Sequence, residues 1–502
     1  MIRVIASFLV SLCVAIGLSC AAPPDIVMIA IDDLRPMLGC YGDSRIRTPN
    51  IDAVARRGVV FDRAYCQYAK CGTSRLSLMS GLRPDAVGVF SNNTRDVVRF
   101  RQRRPDATSL AQWLKQAGYH TQSFGKIYHD GWDHPEDWSA PSFPGRDREM
   151  WEVIDPQNPN AATHIAERLD CPVLQSADVP DEHFFAGRMT RRVIQTLDSA
   201  PQDAPLFLAV GYRRPHLPFV APQAYFDLYQ PDETWLSEDP FPPADSPIMA
   251  WFNSDGYIGS AKRVGLEMPL RPDREQAVAW NGYEMRSYVG VPNEGEISRE
   301  KQIRLLHAYA ACISYVDAQL GKILRHVQQS ERFRNATIIL WSDHGWHLGE
   351  HSAWGKMTNF EIATRVPLII ASDRFPPART QSIAELVDLY PTLCDLAGIP
   401  RPAHLQGESL LGILKDPTSN ADSLALSQYS RFQDRFMGRA LRTDRYRFVA
   451  WFDQQTDQVV ARELYDHRAD ARERQNLAAD KSNAAIVKVL EAQLLREFEL
   501  ER

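Results

Sequence analysis

Short apolar runs alternate along the chain with segments that repeat apolar residues at helical spacing. Four apolar runs, each four to six residues long, lie within "DIVMIAIDD", "APLFLAVGYRRPH", "ATIILWSDHGWHLGEH" and "TRVPLIIAS". They are aliphatic or β-branched and end in polar or glycine-containing sequence, which is typical of buried strands in an α/β sheet. Helical periodicity predicts helices over 107–117, 183–198, 299–330 and 383–397. The pattern therefore predicts an α/β protein.

Two segments and the C-terminal part of the chain depart from this alternation. Residues 130–180 and 230–298 are rich in Pro, Asp and Trp without clear periodicity, and we predict long loops over one rim of the sheet. After "LAGIPRPAH" the pattern changes to "RALRTDRYRFVAWFD" and "ARELYDHRADARERQNLA", which indicates a small antiparallel sheet followed by a terminal helix. Because 502 residues exceed what one core usually serves, we predict a large domain over 22–399 and a smaller one over 400–502.

The first residues predict export. "MIRVIASFLVSLCVAIGLSCAAPP" contains one Arg, an apolar run and then small residues, as in a signal peptide, which we place at residues 1–21. Cys20 raises the alternative of a lipoprotein signal, although the residues before it fit such a signal poorly. No later stretch is long and apolar enough to span a bilayer, so we expect no membrane span.

Composition and charge narrow the function classes. With 44% hydrophobic and 24% charged residues the chain is typical of a globular protein. The net charge of -6 supplies no broad basic surface, so we expect no nucleic-acid partner. The strongest basic cluster, "RFRQRRPD", is more typical of a solvated face. Six cysteines outside the leader are scattered and form no C-x-x-C pair, which predicts neither a zinc site nor a disulfide framework: Cys40, Cys66, Cys71, Cys171, Cys312 and Cys394.

Acidic residues follow two of the predicted strands. Asp32 and Asp33 come after "IVMIAI", and Asp343 and His344 come after "TIILWS". Ligands of α/β sheets bind beyond the carboxyl ends of the strands, so the two pairs are predicted to meet there. Carboxylate oxygens suit Ca²⁺ or Mg²⁺. Either pair alone is more often a turn or a helix cap.

A cysteine stands at the start of a predicted helix in "YAKCGTSRLSLMSGLRP". Cys71 and Arg75 are four residues apart, so they share a face if the helix begins near Gly72. Gly81 followed by Pro84 ends the helix. The helix N-terminus favours an anion beside Cys71. An isolated cysteine is more often a buried apolar residue, so this interpretation depends on its neighbours.

Two lysines and two histidines are further candidates for the same site. Lys126 and His129 come from "GYHTQSFGKIYHD", His216 from "GYRRPHLPF" and Lys356 from "HSAWGKMTNF". Each alone is more often a surface or structural residue. Together with Arg75 and a divalent cation they form a site for a tetrahedral anion.

At this point the sequence resembles the formylglycine-dependent sulfatases, and within them the iduronate-2-sulfatase-like branch. "CGTSRLSLMSGLRP" resembles the first sulfatase signature and "GYHTQSFGKIYH" the second. Six further segments match that branch in order over about residues 25–480: "IDDLRPMLGCYG", "TPNIDAVARRGVVFDRAY", "GYRRPHLPF", "SDHGWHLGEHSAWGKMTNFE", "TRVPLII" and "LYDHRADARERQNLA".

The resemblance implies a fold and a set of residue roles. The fold is an alkaline-phosphatase-like α/β sandwich, with a mostly parallel central sheet flanked by helices and a small C-terminal α+β domain. A maturation enzyme oxidises the cysteine, here Cys71, to formylglycine, whose hydrate attacks sulfur, expels the alcohol and then releases sulfate. Position by position, the resemblance implies that one Ca²⁺ is held by Asp32, Asp33, Asp343, His344 and modified Cys71. Arg75 would hold the diol, and His129 would act as the base. Lys126 and Lys356 would bind the sulfate oxygens, and His216 with Lys356 would act at the leaving oxygen.

The branch that the sequence resembles implies a sulfated, uronate-containing carbohydrate as the substrate. Arg213 or Arg214 near Lys356 and His216 gives more cationic groups than one sulfate needs, which suggests a second anion on the same sugar. Trp346 and His347 are expected to line the substrate pocket.

Two positions depart from the family motifs, and two alternative functions remain open. Thr73 replaces the usual Pro or Ala of the signature, in the stretch that the maturation enzyme recognises, and Phe124 replaces a small or aliphatic residue in the second motif. One alternative is a phosphomonoesterase or phosphodiesterase of the same superfamily that uses Thr73 or Ser74 directly. The other is an inactive relative that binds sulfated glycans.

Overall fold

The computed structural model describes residues 23–143, 152–155, 158–164, 171–419 and 423–500. The predicted signal peptide therefore lies outside the described residues. Within those ranges, no helix combines the length and the apolar composition that crossing a membrane requires.

Strands and helices alternate along the first part of the chain, as the apolar pattern predicts. The strands are β1 (Ile26–Ile31), β2 (Gly58–Tyr65), β3 (His120–Gly125), β4 (Glu152–Asp155), β5 (Asn158–His164), β6 (Leu174–Ala177), β7 (Leu206–Tyr212), β8 (Phe219–Pro222), β9 (Thr337–Ser342), β10 (His347–Leu348), β11 (Trp354–Gly355), β12 (Arg365–Ala371), β13 (Ala378–Glu385), β14 (Ala425–Arg431), β15 (Phe436–Arg442), β16 (Tyr446–Asp453) and β17 (Gln458–Asp466).

The α-helices are α1 (Pro49–Ala55), α2 (Cys71–Ser80), α3 (Pro84–Val87), α4 (Thr94–Arg103), α5 (Leu110–Gln116), α6 (Phe185–Asp198), α7 (Gln223–Phe226), α8 (Ile248–Trp251), α9 (Ile258–Arg263), α10 (Arg274–Trp280), α11 (Tyr283–Arg286), α12 (Arg299–Gln329), α13 (Glu361–Thr364), α14 (Leu389–Ala397), α15 (Leu411–Lys415) and α16 (Ala484–Glu497).

A seven-stranded sheet forms the centre of the fold, in the order β13-β2-β12-β9-β1-β7-β3. Only β12 within this sheet runs antiparallel, to both β2 and β9; the other neighbouring strands are parallel. The four strands predicted from apolar runs are β1, β7, β9 and β12, and they lie near the middle. The prediction of a mostly parallel central sheet is confirmed.

Helices cover both faces of this sheet. Along β1, Val27 and Ile29 point into a core shared with α6 and α12, whereas Ile26 and Met28 point into a second core shared with α2, α5 and α14. A strand buried on both faces reads as one continuous apolar run, which is what "IVMIAI" shows. The fold is the three-layer sandwich expected from the resemblance.

Predicted and observed helices agree at three of four positions. Those at 107–117, 183–198 and 299–330 are observed as α5, α6 and α12. The helix over 383–397 was wrong in its first part: residues 378–385 form β13, which pairs in parallel with β2, and α14 begins only at Leu389. The apolar residues that end β13 continue directly into those of α14, so the period-2 and period-3.6 patterns merge.

The two segments predicted as long loops contain short elements. Residues 230–298 carry α8 to α11, and the described part of 130–180 includes strands β4 to β6. These helices span four to seven residues, which is too short for a helical period to show in sequence.

The C-terminal part forms the predicted antiparallel sheet and terminal helix. Strands β14 to β17 pair in sequence order, and α16 packs one apolar face on them through Val487, Leu490 and Leu494. Where the two domains divide, placed in the sequence at residue 400, stays a prediction.

A buried charge cluster joins this sheet to the rest of the fold. Arg447 on β16 donates to Glu361, at 2.5 Å, and to Glu473, at 2.7 Å. Arg442 also binds Glu361, and His467 lies 3.0 Å from Glu473. Glu361, His467 and Glu473 have metal-ligand chemistry. Because two arginines already neutralise both carboxylates, the cluster is an ion-pair network between this sheet and the rest of the fold.

We expect Arg447→Met to lower the free energy of unfolding by about 3–5 kcal/mol, because it leaves Glu473 charged and buried without its main partner. The matched control is Arg462→Met on the neighbouring strand β17, whose pair with Glu491 is partly exposed and contributes about 1 kcal/mol at most. Urea denaturation of both variants measures the difference. Equal losses would contradict a structural role for the cluster.

Candidate active site

The sheet places the predicted acidic residues next to one another. β1 and β9 are adjacent and parallel, with Ile31 opposite Ser342, so the residues that follow each strand emerge side by side. The Asp33 N–H donates to Asp343 Oδ1 at 3.1 Å, although the residues are 310 positions apart. Asp32, Asp33, Asp343 and His344 are all fully buried. The prediction that the two pairs meet at one edge of the sheet is confirmed.

Helix α2 brings Cys71 and Arg75 to this edge. It begins at Cys71, one residue before the predicted start, and ends at Gly81 in the left-handed conformation. The Cys71 Sγ lies 3.3 Å from His344 Nε2 and 3.4 Å from Lys356 Nζ. One turn further on, the Arg75 guanidinium donates to Asp32 at 3.0 Å and to Asp343 at 2.8 Å. Arg75 therefore holds the two acidic strand ends together.

Two lysines complete the charge balance. Lys126, just after β3, donates to Asp32 at 2.6 Å, and Lys356, just after β11, donates to Asp33 at 2.9 Å. Burial opposes the charge of Lys356, but Asp33 and the nearby acidic groups outweigh burial and raise its pKa. Three buried carboxylates thus face three buried cations.

Two histidines contribute neutral imidazoles. Burial, reinforced by Lys126, lowers the pKa of His129 to about 3. Burial and Lys356 likewise lower the pKa of His216. The His216 Nδ1 lies 2.7 Å from the Leu217 carbonyl oxygen, so Nδ1–H donates there and Nε2 faces Asp33 and Glu284 at 3.8 Å. Both imidazoles are able to accept a proton at neutral pH.

These groups meet at a pocket of about 220 Å³. Cys71 lies on its wall together with Lys126, His129, His216 and Lys356. The remaining lining residues are Lys70, Asn92, Arg213, Gly256, Tyr257, Ser260, Glu284 and Met357. A nucleophile-bearing helix N-terminus, paired lysines and neutral imidazoles around one pocket suit transfer of a tetrahedral anion.

Residues 24–399 match the family described as Sulfatase. The chain belongs to the sulfatase family. Residues 349–499 also match the C-terminal region described as N-sulphoglucosamine sulphohydrolase. The family and its named relatives make this protein a sulfuric ester hydrolase.

Curated relatives cover almost the whole chain of this sulfatase. Iduronate 2-sulfatase from Mus musculus is 31% identical over 95% of this chain and 96% of the relative. Iduronate 2-sulfatase from Homo sapiens is 30% identical over 96% of both. A sulfatase from Formosa agariphila is 28% identical over 94% of this chain and 86% of the relative.

Solved structures share the fold of this sulfatase. A protein solved with its substrate D-glucosamine-2-N,6-O-disulfate aligns with a TM-score of 0.68 at 20% identity, over 95% of this chain and 98% of that one. The phosphonate monoester hydrolase of Agrobacterium radiobacter gives 0.68 at 22%, over 95% and 96%. A 2-O GAG sulfatase gives 0.64 at 22%, over 96% and 94%. The alkaline-phosphatase-like fold predicted from the resemblance is confirmed.

The oxygen-rich donor set of this sulfatase fits a hard divalent cation. Cys71, Asp343 and His344 offer donor atoms within 4.8 Å of one another, as do Asp32, Asp33, Cys71 and His216. Burial raises the pKa of Asp33 despite Lys356, whereas Lys126 and Arg75 hold the pKa of Asp32 well below its usual range. The charge of Asp33 is therefore less well compensated than that of Asp32. A cation bound among these oxygens would supply that compensation.

Two predicted pocket residues of this sulfatase lie behind the pocket. Trp346 is fully buried, with the Lys356 ammonium 5.0 Å from its ring, so it supports Lys356 from behind. The His347 Nε2 is 2.9 Å from the Thr358 hydroxyl, and the ring does not line the pocket. Neither residue lines the pocket that contains Cys71, because β10 directs this segment into the core. Their contact with substrate stays a prediction.

Of the two arginines predicted to bind substrate, one lines the pocket and the other does not. Arg213 lines the pocket and is ion-paired to Asp130. Arg214 donates to the His216 carbonyl at 3.1 Å and does not line the pocket, so its predicted contact with substrate is not supported.

Sequence reasoning missed several lining residues. Glu284 lies 3.4 Å from Lys356 Nζ and 3.8 Å from His216 Nε2, yet it comes from the four-residue helix α11 in a segment predicted as loop. Asn92 accepts from the Gly72 N–H at 3.3 Å. No sequence pattern marks these positions, because each belongs to a loop or short helix that only the fold brings to the pocket.

The hydroxyl groups offered as alternative nucleophiles face elsewhere. Thr73 Oγ1 donates to the Val89 carbonyl at 2.8 Å, and Ser74 Oγ donates to the Asp343 carbonyl at 2.6 Å. Both residues are fully buried, and neither lines the pocket. The geometry gives no support to a phosphatase that uses either hydroxyl.

Proposed function

We propose that this sulfatase hydrolyses sulfate esters of carbohydrates and is iduronate-2-sulfatase-like, acting on sulfated, uronate-containing polysaccharide. The observation that carries the proposal is the position of Cys71, on the wall of a pocket between His344 and Lys356. The two iduronate 2-sulfatases, at 31% and 30% identity over nearly the whole chain, support the substrate class. The predicted signal peptide supports action outside the cytoplasm.

Cys71 is the residue we assign to modification. When it is converted to formylglycine, the hydrated aldehyde supplies one hydroxyl to take up sulfate and a second whose deprotonation releases it. A cysteine thiol buried at this position has a raised pKa, so it is a poor nucleophile without modification. The partner required is a formylglycine-generating maturation enzyme, which would recognise the segment around Cys71 and Arg75.

Asp32, Asp33, Asp343, His344 and modified Cys71 would hold one Ca²⁺, which supplies Lewis-acid polarisation of the bound oxygens. Arg75 keeps the acidic strand ends together through Asp32 and Asp343. Lys126 and Lys356, each already fixed by a carboxylate, present ammonium groups for the sulfate oxygens.

We assign the proton movements to His129 and to the pair of His216 and Lys356. His129 lines the pocket as a neutral imidazole and takes the proton whose removal allows sulfate to leave. His216, with Lys356, stands at the oxygen of the departing alcohol. Since neutral His216 cannot give up a proton at Nε2 while Nδ1–H binds Leu217, Lys356 is the donor in this pair and His216 orients the alcohol.

Protein produced together with a formylglycine-generating enzyme is expected to carry the aldehyde at Cys71. Peptide mass spectrometry of the Cys71 fragment, with capture of the aldehyde by a hydrazide, measures this directly. The matched sample is protein produced without that enzyme, which should keep the thiol. If Thr73 blocks recognition, a Thr73→Pro variant should restore conversion; an unmodified Cys71 in fully active protein would contradict the proposal.

A panel of defined sulfated saccharides tests the substrate class. We expect the highest kcat/KM on a 2-O-sulfated uronide, lower values on its neutral-sugar counterpart and on a 6-O-sulfated hexosamine, and none on phosphate monoesters or phosphodiesters. Equal kcat/KM on the neutral sugar sulfate would show that the enzyme does not recognise the uronate carboxylate. Binding without turnover in matured protein would favour the inactive glycan-binding alternative.

A further inference from the structure

The pocket carries one cation that the catalytic network does not neutralise. Four lysine and arginine side chains line it: Lys70, Lys126, Arg213 and Lys356. The last three are ion-paired, to Asp32, Asp130 and Asp33 respectively. Among the contacts of the described residues, Lys70 has only a hydrogen bond to the Phe90 carbonyl, at 3.4 Å, and no carboxylate partner.

Lys70 lies directly beside the reacting position. It precedes Cys71, and its extended backbone caps the start of α2. Its neighbour on the pocket wall, Asn92, accepts from the Gly72 N–H and so presents its amide NH₂ as a second donor. In the part of the chain that the structure describes, no carboxylate is paired with the Lys70 ammonium group. An anionic group of the substrate would provide that missing partner.

The acidic groups nearby do not fill this role. Asp255 is buried and accepts from the Phe432 N–H, Glu284 pairs with Lys356, and Asp434 lies on the exposed turn between β14 and β15. None of these three carboxylates forms an ion pair with Lys70 among the contacts of the described residues. The ammonium group therefore stays available to a bound molecule.

We propose that Lys70 is a specificity-determining residue, which binds a second anionic group on the sugar whose sulfate ester lies at Cys71. This inference rests on the proposed function, and it names the residue of this chain that would recognise the proposed substrate class. The second group is a carboxylate or a second sulfate, since an ammonium recognises the negative charge common to both. Sequence reasoning assigned this role to Arg213 or Arg214, but Arg213 is occupied by Asp130 and Arg214 lies outside the pocket.

The test compares Lys70→Met with Lys70→Arg and with a charge-matched control. Lys70→Met keeps the length of the side chain and removes its charge, whereas Lys70→Arg keeps the charge. The control is Lys262→Met, because Lys262 is exposed on α9 close to the pocket residue Ser260 and makes the same change in net charge. Steady-state kinetics would use a 2-O-sulfated uronide, a disulfated hexosamine and a monosulfated neutral hexose.

We expect Lys70→Met to lower the preference for a doubly anionic substrate over the neutral hexose sulfate by about tenfold or more in kcat/KM, mostly through KM, as loss of one charge-assisted hydrogen bond predicts. Lys70→Arg should restore the preference, and Lys262→Met should leave it unchanged. A loss confined to the uronide identifies the carboxylate as the second group, and a loss confined to the hexosamine identifies a second sulfate. Equal losses on all three substrates, or an equal effect of Lys262→Met, would overturn the proposal.

Binding measurements separate this proposal from the proposed function. If matured protein hydrolyses none of these esters, the proposed function fails, and calorimetric Kd values for the same three saccharides still test Lys70. A Lys70→Met variant that binds all three as the parent does would overturn the assignment there too. Thermal melting of each variant checks that a changed preference does not come from unfolding.

Discussion

Replacing Cys71 with alanine removes sulfate ester hydrolysis while the protein keeps its fold. The Sγ atom is 3.3 Å from His344 and 3.4 Å from Lys356, and in the function we propose the formylglycine formed from Cys71 takes up sulfate. Loss of a covalent nucleophile costs on the order of 10³-fold or more in kcat, because the remaining groups bind the ester without accepting its sulfate. Turnover of an aryl sulfate by matured enzyme provides the measurement.

The matched control is Cys394→Ala, which makes the same change at a buried cysteine that packs in the core of α14. It should lose stability of about 1 kcal/mol or somewhat more from the small cavity and keep its turnover. Circular dichroism and melting temperature show whether each variant is folded. Full activity of Cys71→Ala would exclude a covalent role for this position, and equal losses in both variants would point to unfolding.

The sequence predicted the centre of this fold better than its periphery. β1, β7, β9 and β12 are buried on both faces, so each appears as an uninterrupted apolar run. β13 lies at the edge of the sheet, and the apolar residues at its end run directly into those of α14, so its last residues looked like the start of that helix. The short helices over 230–298 are held by tertiary contacts, for which local sequence carries no signal.

In the active site, too, residues at the ends of central strands were predicted better than residues on short peripheral segments. Residues directly after central strands, such as Asp33 and Asp343, could be located because strand position determines where the next side chain emerges. Trp346 follows β9 almost as closely, but the backbone turns it under Lys356 and away from the pocket. Glu284 and Lys70 depended on how short segments fold over the pocket, which no periodicity reports.

The arrangement at the sheet edge explains why its charges tolerate burial. Arg75, Lys126 and Lys356 each donate to one or more of Asp32, Asp33 and Asp343, so no charge of this set is left isolated. Removing one member leaves its partner charged and buried, which typically costs about 3–5 kcal/mol. The network therefore keeps the carboxylates in place whether or not a further cation is bound, and metal removal should be reversible.

We expect removal of the proposed divalent cation to abolish hydrolysis and to lower the melting temperature by a few degrees, and added Ca²⁺ to restore both. The donor atoms of Cys71, Asp343 and His344 lie within 4.8 Å of one another, and burial leaves the charge of Asp33 less well compensated than that of Asp32. A ligand that binds the folded state at about 100 times its Kd contributes roughly 2.7 kcal/mol of stability. The activity loss is expected to be larger, since a bound cation would polarise the oxygens at the reacting position.

The measurement follows turnover and melting temperature after EDTA treatment and dialysis, with elemental analysis to establish that the protein is metal-free. EDTA saturated with Ca²⁺ beforehand is the control for the chelator itself. In an Asp343→Asn variant, which weakens the donor set, Ca²⁺ should no longer raise the melting temperature, because the Asp343 carboxylate joins the strand-end acids to Cys71 and His344. Metal-free enzyme with unchanged turnover and unchanged melting temperature would contradict the cation site. Recovery with Mg²⁺ but not with Ca²⁺ would show that the site binds the smaller ion.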